Sequence, residues 1–341
     1  MRSRPETVAR RWFANARAFS VMPWLNCLVA LALVVATTGC TRQTLVIPVS
    51  TAPGALAAAR PGGSVRSYDS AVRVVAAILV GELELPLPRQ VTVFVYPTRL
   101  AYADGLASAG RMSRSRAKEI AAYSVGLGQH RQLFINDEGL RGACRRAWLG
   151  VVAHELTHSA QYELSGGRRG RSEQWLREGM ADWVAARVLE RLGVSTFRHE
   201  HERAMRDVAR AWPARDDVRI GLVTIGDPRG WEAGHLRSGG SLAYRLAFLL
   251  ADELIRGRGW GRVIDYFRAF ATSDDRFNHF QTAFGTSVDE FEVDGLGRIR
   301  RELGGRDRDW TPLGARPDRV DPALEARMLD RVDPCDGAFD E

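Results

Sequence analysis

Apolar positions change their rhythm about two-fifths of the way along this 341-residue chain. Before residue 140, short β-branched and aromatic runs are interspersed with helical stretches. Beyond it the helical period dominates. Val72, Val75, Ala76 and Leu79 recur at helical spacing and predict a helix over 67–80. Pro86 and Pro88 interrupt the chain. The run at 91–96 has no polar alternation and ends at Pro97, which predicts a strand buried on both faces. A short helix is expected over 98–107. Residues 123–128 and 132–136 read as two strands around a turn at Gln129, His130 and Arg131. A long helix over 142–164, buried through Ala147, Trp148, Val151 and Val152, stops at Gly166-Gly167. A second over 174–192 stops at Gly193, and four more are expected near 197–211, 240–255, 261–271 and 287–303. Strands first and helices after predict an α+β fold: a small N-terminal β-sheet with helices, then a mainly helical C-terminal lobe.

Composition narrows this picture. Hydrophobic residues make up 45% and charged residues 26%, enough apolar material for a globular core and too few charges for wholesale disorder. The formal charge of +7 is concentrated at the start of the chain: residues 1–39 contribute +4 through Arg2, Arg4, Arg10, Arg11, Arg17 and a single Glu6. Elsewhere arginines interleave with acidic residues, and Lys118 is the sole lysine. No basic stripe or recognition module emerges, so nucleic acid is excluded as a partner.

The basic flank, apolar residues 24–36 and Thr37-Thr38-Gly39-Cys40 read as an export signal over 1–39, or alternatively as an uncleaved anchor. The small residues before Cys40 resemble a bacterial lipobox, with Cys40 as the lipid site. Both readings place the body of the protein outside the cytoplasm, in the cell envelope or periplasm, with the N-terminus at a membrane. Residues 40–64, rich in Ala, Pro, Gly and Thr, are expected to be a flexible tether. The folded domain spans 65–303, and an Arg/Asp/Pro-rich tail follows over 304–341. Cys144 and Cys335 are spare cysteines that can pair in an oxidising compartment.

The chemistry concentrates at His154-Glu155-Leu156-Thr157-His158. Residues four apart on a helix share a face, so both histidines can present a ring nitrogen to one ion, with Glu155 beside a water bound to it. Catalytic zinc takes a third protein ligand and leaves a position for water. Glu178, on the next helix, is placed to supply it. Asp182, one turn further, is placed to accept the other ring N–H of His154. The competing use of Asp182 is a salt bridge to Arg177 or Arg187. Gly179 and Ala181 are small enough to let the two helices approach.

His154-Glu155-x-x-His158 followed by Trp175-Leu176-x-Glu178-Gly179-x-Ala181-x-Trp183 resembles the gluzincin zinc metallopeptidases, most closely their peptidase MA-like branch. The resemblance implies a thermolysin-like catalytic domain and Zn2+ held by His154, His158 and Glu178. It implies Glu155 as general base for hydrolysis of a peptide or protein substrate. It further implies an oxyanion donor from the downstream helices, either Tyr244 or His235, the latter in a Gly-rich stretch expected to be a mobile loop. Gly126 and Gly128 are expected to let an extended peptide approach the strand that carries them. The alternative is a zinc-binding envelope scaffold that no longer cleaves.

Overall fold

The computed structural model describes residues 42–49, 65–211, 221–238 and 241–306. All lie within residues 40–341, a unit separate from residues 1–39. The export signal, Cys40, the C-terminal tail from residue 307 and Cys335 lie outside the described residues. Cys144 is disulfide-bonded.

The fold is mixed α+β, mostly helical, with one four-stranded sheet. Strand β1 (Gln43–Pro48) pairs antiparallel with β2 (Gln90–Tyr96), β2 pairs parallel with β4 (Gln132–Asn136), and β3 (Gly126–Gln129) closes the sheet antiparallel to β4. Val91, Val93, Val95, Leu133 and Ile135 point into the main core, whereas Phe94, Tyr96 and Phe134 point to the opposite face. Both faces of β2 and β4 are therefore buried, which is why the 91–96 run lacks polar alternation. Helix α1 (Tyr68–Gly81) covers the first face, starting at a reciprocal capping box between Ser67 and Ser70. Helices α2 (Arg99–Ser108) and α3 (Arg114–Tyr123) cover the second, capped by the hydroxyls of Thr98 and Ser113.

After the short α4 (Asp137–Leu140), the rest is helical: α5 (Arg145–Leu164), α6 (Gln174–Arg191), α7 (Phe197–Ala211), α8 (Leu222–Ile225), α9 (Pro228–Ser238), α10 (Ser241–Arg258), α11 (Trp260–Ala269), α12 (Arg276–Phe284) and α13 (Val288–Arg306). Helix α6 lies at the centre, packed against α5 and α10. None of the described helices is long and apolar enough to cross a membrane.

Four expectations change. Residues 43–48 are a strand rather than part of a tether; only Ile47 is buried, so the inward-facing signal is a single residue. Tyr123 ends helix α3 instead of starting a strand, the hydroxyl of Ser113 having already started that helix. His235 sits on helix α9, not on a loop: Pro228 occupies the first helical position and Asp227 accepts the Arg229 amide at 2.9 Å. Gly179 faces α10 rather than α5, because a Cβ there would overlap the Ala247 carbonyl.

Buried Glu173 sets where α6 begins. Its amide donates to the Tyr266 hydroxyl at 2.7 Å, and Arg276 Nε lies 3.3 Å from its Oε1. Gly226 leaves room for this carboxyl, and the Gln174 amide donates to the Gly226 carbonyl at 2.9 Å. Burial pushes the Glu173 pKa from 4.5 up to about 7, with Arg276 opposing. The folded carboxyl thus keeps its proton where the unfolded one releases it, so this group removes stability as pH rises from 4.5 to about 7. Glu173→Gln keeps the shape without the titration. Urea midpoints at about pH 5 and about pH 8 should differ less in this variant than in the parent. Equal differences would contradict the assignment.

Candidate metal centre and its cleft

Helix α5 presents His154 and His158 on one face, and α6 presents Glu178 opposite them. One ligand atom from each lies within 4.8 Å of the others, so the group can hold a metal ion. His154 Nε2 is 3.2 Å from His158 Nε2 and 3.2 Å from Glu178 Oε2. His158 Nε2 is 3.5 Å from the same oxygen. Ligands at about 2.0–2.1 Å from a tetrahedral zinc are themselves about 3.3 Å apart. The donor set and its spacing fit that ion.

The far side of each side chain explains why the three atoms face one another. His154 Nδ1 lies 2.8 Å from Asp182 Oδ1. Arg177 and Arg187, the competing partners, bond elsewhere: to the Arg169 carbonyl and to Glu190. His158 Nδ1 lies 2.9 Å from Gln161 Oε1, and the amide nitrogen of Gln161 donates to the Arg177 carbonyl at 2.8 Å. Glu178 Oε1 accepts from Gln174 Nε2 at 2.6 Å, and Arg169 donates to the Gln174 oxygen at 3.0 Å. With both Nδ1 atoms as donors, the Nε2 atoms are acceptors, so three lone pairs converge with no donor among them.

That arrangement requires a positive charge. Burial pushes His154 toward its neutral form, but Asp182 and Glu178 outweigh it and hold its pKa well above 6.5. Burial pushes Glu178 toward protonation, but the two imidazoles outweigh it and hold its pKa well below 4.5. A metal ion entering the group competes with protons for the same lone pairs.

Glu155 points the other way, toward strand β3. The Gly128 amide donates to its Oε2 at 2.5 Å. A Cβ at Gly126 would come within 2.8 Å of the Glu155 Cγ, and one at Gly128 would overlap the Glu155 carbonyl. The two glycines therefore admit helix α5. Their amides are also engaged, by Ser124 and Glu155, so the edge expected to receive a peptide is already bonded there. Burial raises the Glu155 pKa above 4.5 against the pull of both histidines.

Tyr244, on α10, brings its ring to 6.1 Å from the His154 ring and stands edge-on to Trp231 at 5.2 Å. Burial, then the charges of Glu178, Glu155 and Asp182, hold its pKa well above 10, so its hydroxyl stays a donor. The backbone places His235 on α9; its side chain lies outside the described residues. Two cavities, of about 390 and 360 Å³, meet at this centre and share Tyr123, Gly126, His154, Glu155 and Tyr244 among their walls. Gln161, Gln174, Arg169 and Tyr123 carry no sequence signal of their own. Only the three-residue offset of Gln161 from His158, and the four-residue offset of Gln174 from Glu178, hinted at shared helix faces.

One divalent ion should bind per chain. Asp182→Asn should weaken that binding by about 10- to 100-fold, the usual effect of disturbing the partner of a ligating imidazole. Competition against a fluorescent zinc chelator measures it. An unchanged affinity would show that Asp182 does not orient His154.

Residues 70–206 match the family model described as BSP, peptidase of plants and bacteria. No curated protein and no solved structure matches the chain. The matched segment holds His154, Glu155, His158, Glu178 and Asp182 and ends before Tyr244, and the match supports a peptidase-like family for this part of the chain.

Proposed function

We propose that this chain is a zinc-dependent peptidase of the gluzincin type, built on a thermolysin-like arrangement and acting outside the cytoplasm. One observation carries the reading. Three mutually facing acceptors, a buried carboxyl and a protonated tyrosine line one cleft, within and beside a segment matching a peptidase family.

Zinc held by His154, His158 and Glu178 would supply an acidified water and a polarised carbonyl. Glu155 takes the proton of the attacking water and passes it to the leaving amine. Tyr244 donates its hydroxyl proton in a hydrogen bond to the developing oxyanion, where a fixed donor in a dry site is most effective. Asp182 and Gln161 keep both imidazoles in the tautomer that leaves Nε2 free for the ion. The export signal and Cys40 would bring this activity to the envelope. Loss of membrane retention or of processing in Cys40→Ser supports that placement, and unchanged size and retention refute it.

Glu155→Gln should keep one zinc per chain while peptide hydrolysis falls by about 100- to 10,000-fold. Tyr244→Phe should lower kcat by about 100-fold with a smaller effect on KM. Both are read with a broad peptide library on the zinc-loaded full chain. Hydrolysis undiminished in Glu155→Gln would sink the mechanism. Stoichiometric zinc with no hydrolysis in the parent would point instead to a zinc-binding envelope scaffold, and turnover confined to non-peptide substrates to a different hydrolase.

A further inference from the structure

Two cavities meet at Glu155, each with three arginines and three carboxylates on its walls. The one of about 390 Å³ runs from His154 and Glu155 toward α7 and is lined there by Arg146, Arg203 and Arg245. One carboxylate, Glu200, lies on that far wall; it sits 3.3 Å from Arg146 and accepts a hydrogen bond from Ser195 at 2.6 Å. Arg245 lies 3.4 Å from Asp207, which also meets Arg210 at 3.5 Å. Arg203 makes no ion pair among the described residues. Burial, then the neighbouring Arg146 and Arg245, lower its pKa, with Glu200 and Asp207 only partly offsetting them. Two of the three guanidinium groups at this end thus face a carboxylate, and Arg203 does not. A planar carboxylate matches a guanidinium fork and supplies the partner that Arg203 lacks.

We propose that this cavity is a carboxylate-recognising subsite, with Arg203 as its principal anchor. It selects substrates that carry an acidic side chain, or a free C-terminal carboxylate, beside the cleaved bond. The proposal rests on the peptidase reading above and adds the chemical class of substrate. Ala185, Ala186 and Leu189 form the apolar wall on α6, which accommodates the methylene stem of such a side chain.

The test uses the zinc-loaded full chain and peptides paired in two ways: Glu against Gln flanking the cleaved bond, and free acid against amide at the C-terminus. The parent should prefer the carboxylate member of one pair by about 10- to 100-fold in kcat/KM. The pair that shows the preference identifies the source of the carboxylate. Arg203→Gln should collapse that ratio to within about threefold, and Arg203→Lys should retain part of it. A ratio near one in the parent for both pairs, or a ratio unmoved by Arg203→Gln, would overturn the subsite. A second readout separates this from failure of the peptidase reading. Calorimetric binding of N-acetylglutamate amide, N-acetylglutamine amide and N-acetylleucine is compared in the parent and Arg203→Gln. Carboxylate binding lost in Arg203→Gln without any hydrolysis upholds the site and removes the peptidase. Binding that persists in Arg203→Gln places the carboxylate on the metal and refutes the site.

Discussion

Three acceptor atoms, His154 Nε2, His158 Nε2 and Glu178 Oε2, face one another at 3.2–3.5 Å, and none can turn away. Asp182, Gln161 and Gln174 hold the opposite ends of the same side chains. Such a cluster is electrostatically unfavourable until a cation or a proton enters it. The surrounding fold can be understood as the packing that keeps this arrangement from relaxing.

Helix α6 is the element through which that restraint runs. Glu173 positions its first residue against Tyr266 and Arg276, five residues before Glu178. Gly179 admits α10 to its other side, and the same helix α10 delivers Tyr244 to the cleft. On α5, Gly126 and Gly128 allow strand β3 to lie directly on Glu155. Close backbone approach on two sides therefore fixes the positions of both Glu178 and Glu155. The same approach leaves a cavity between α5, α6, α7 and α10, lined at its far end by Arg146, Arg203, Arg245 and Glu200.

Much of this was legible in the sequence. Periodicity located α1, β2, α5, α6 and α7 to within a few residues, because their buried faces are long. The grouping of His154, His158, Glu178 and Asp182 was legible because helical spacing brings each pair to one face. What escaped depends on contacts between distant segments. Strand β1 buries a single residue, Ile47, and draws its stability from pairing with β2. Helix α9 hides in a Gly-rich stretch and was marked only by Asp227-Pro228. Gly126 and Gly128 suggested close approach correctly, but not that the approaching element is α5. Gln161 and Gln174 look like ordinary helix-surface residues until the helices are docked. Arg146, Arg203 and Arg245 are unremarkable in a chain with arginines throughout, and only the fold brings them to one cavity.

The central claim is that one zinc ion sits among His154, His158 and Glu178. X-ray absorption at the zinc edge, on the full chain loaded with one equivalent, tests it most directly. The account predicts a four-coordinate shell of two imidazole nitrogens and two oxygens at about 2.0–2.2 Å, one oxygen from Glu178 and one from solvent. The imidazole scattering should disappear when both histidines are replaced by alanine. A shell of oxygens alone, a shell containing sulfur, or imidazole scattering that survives the double replacement would contradict it.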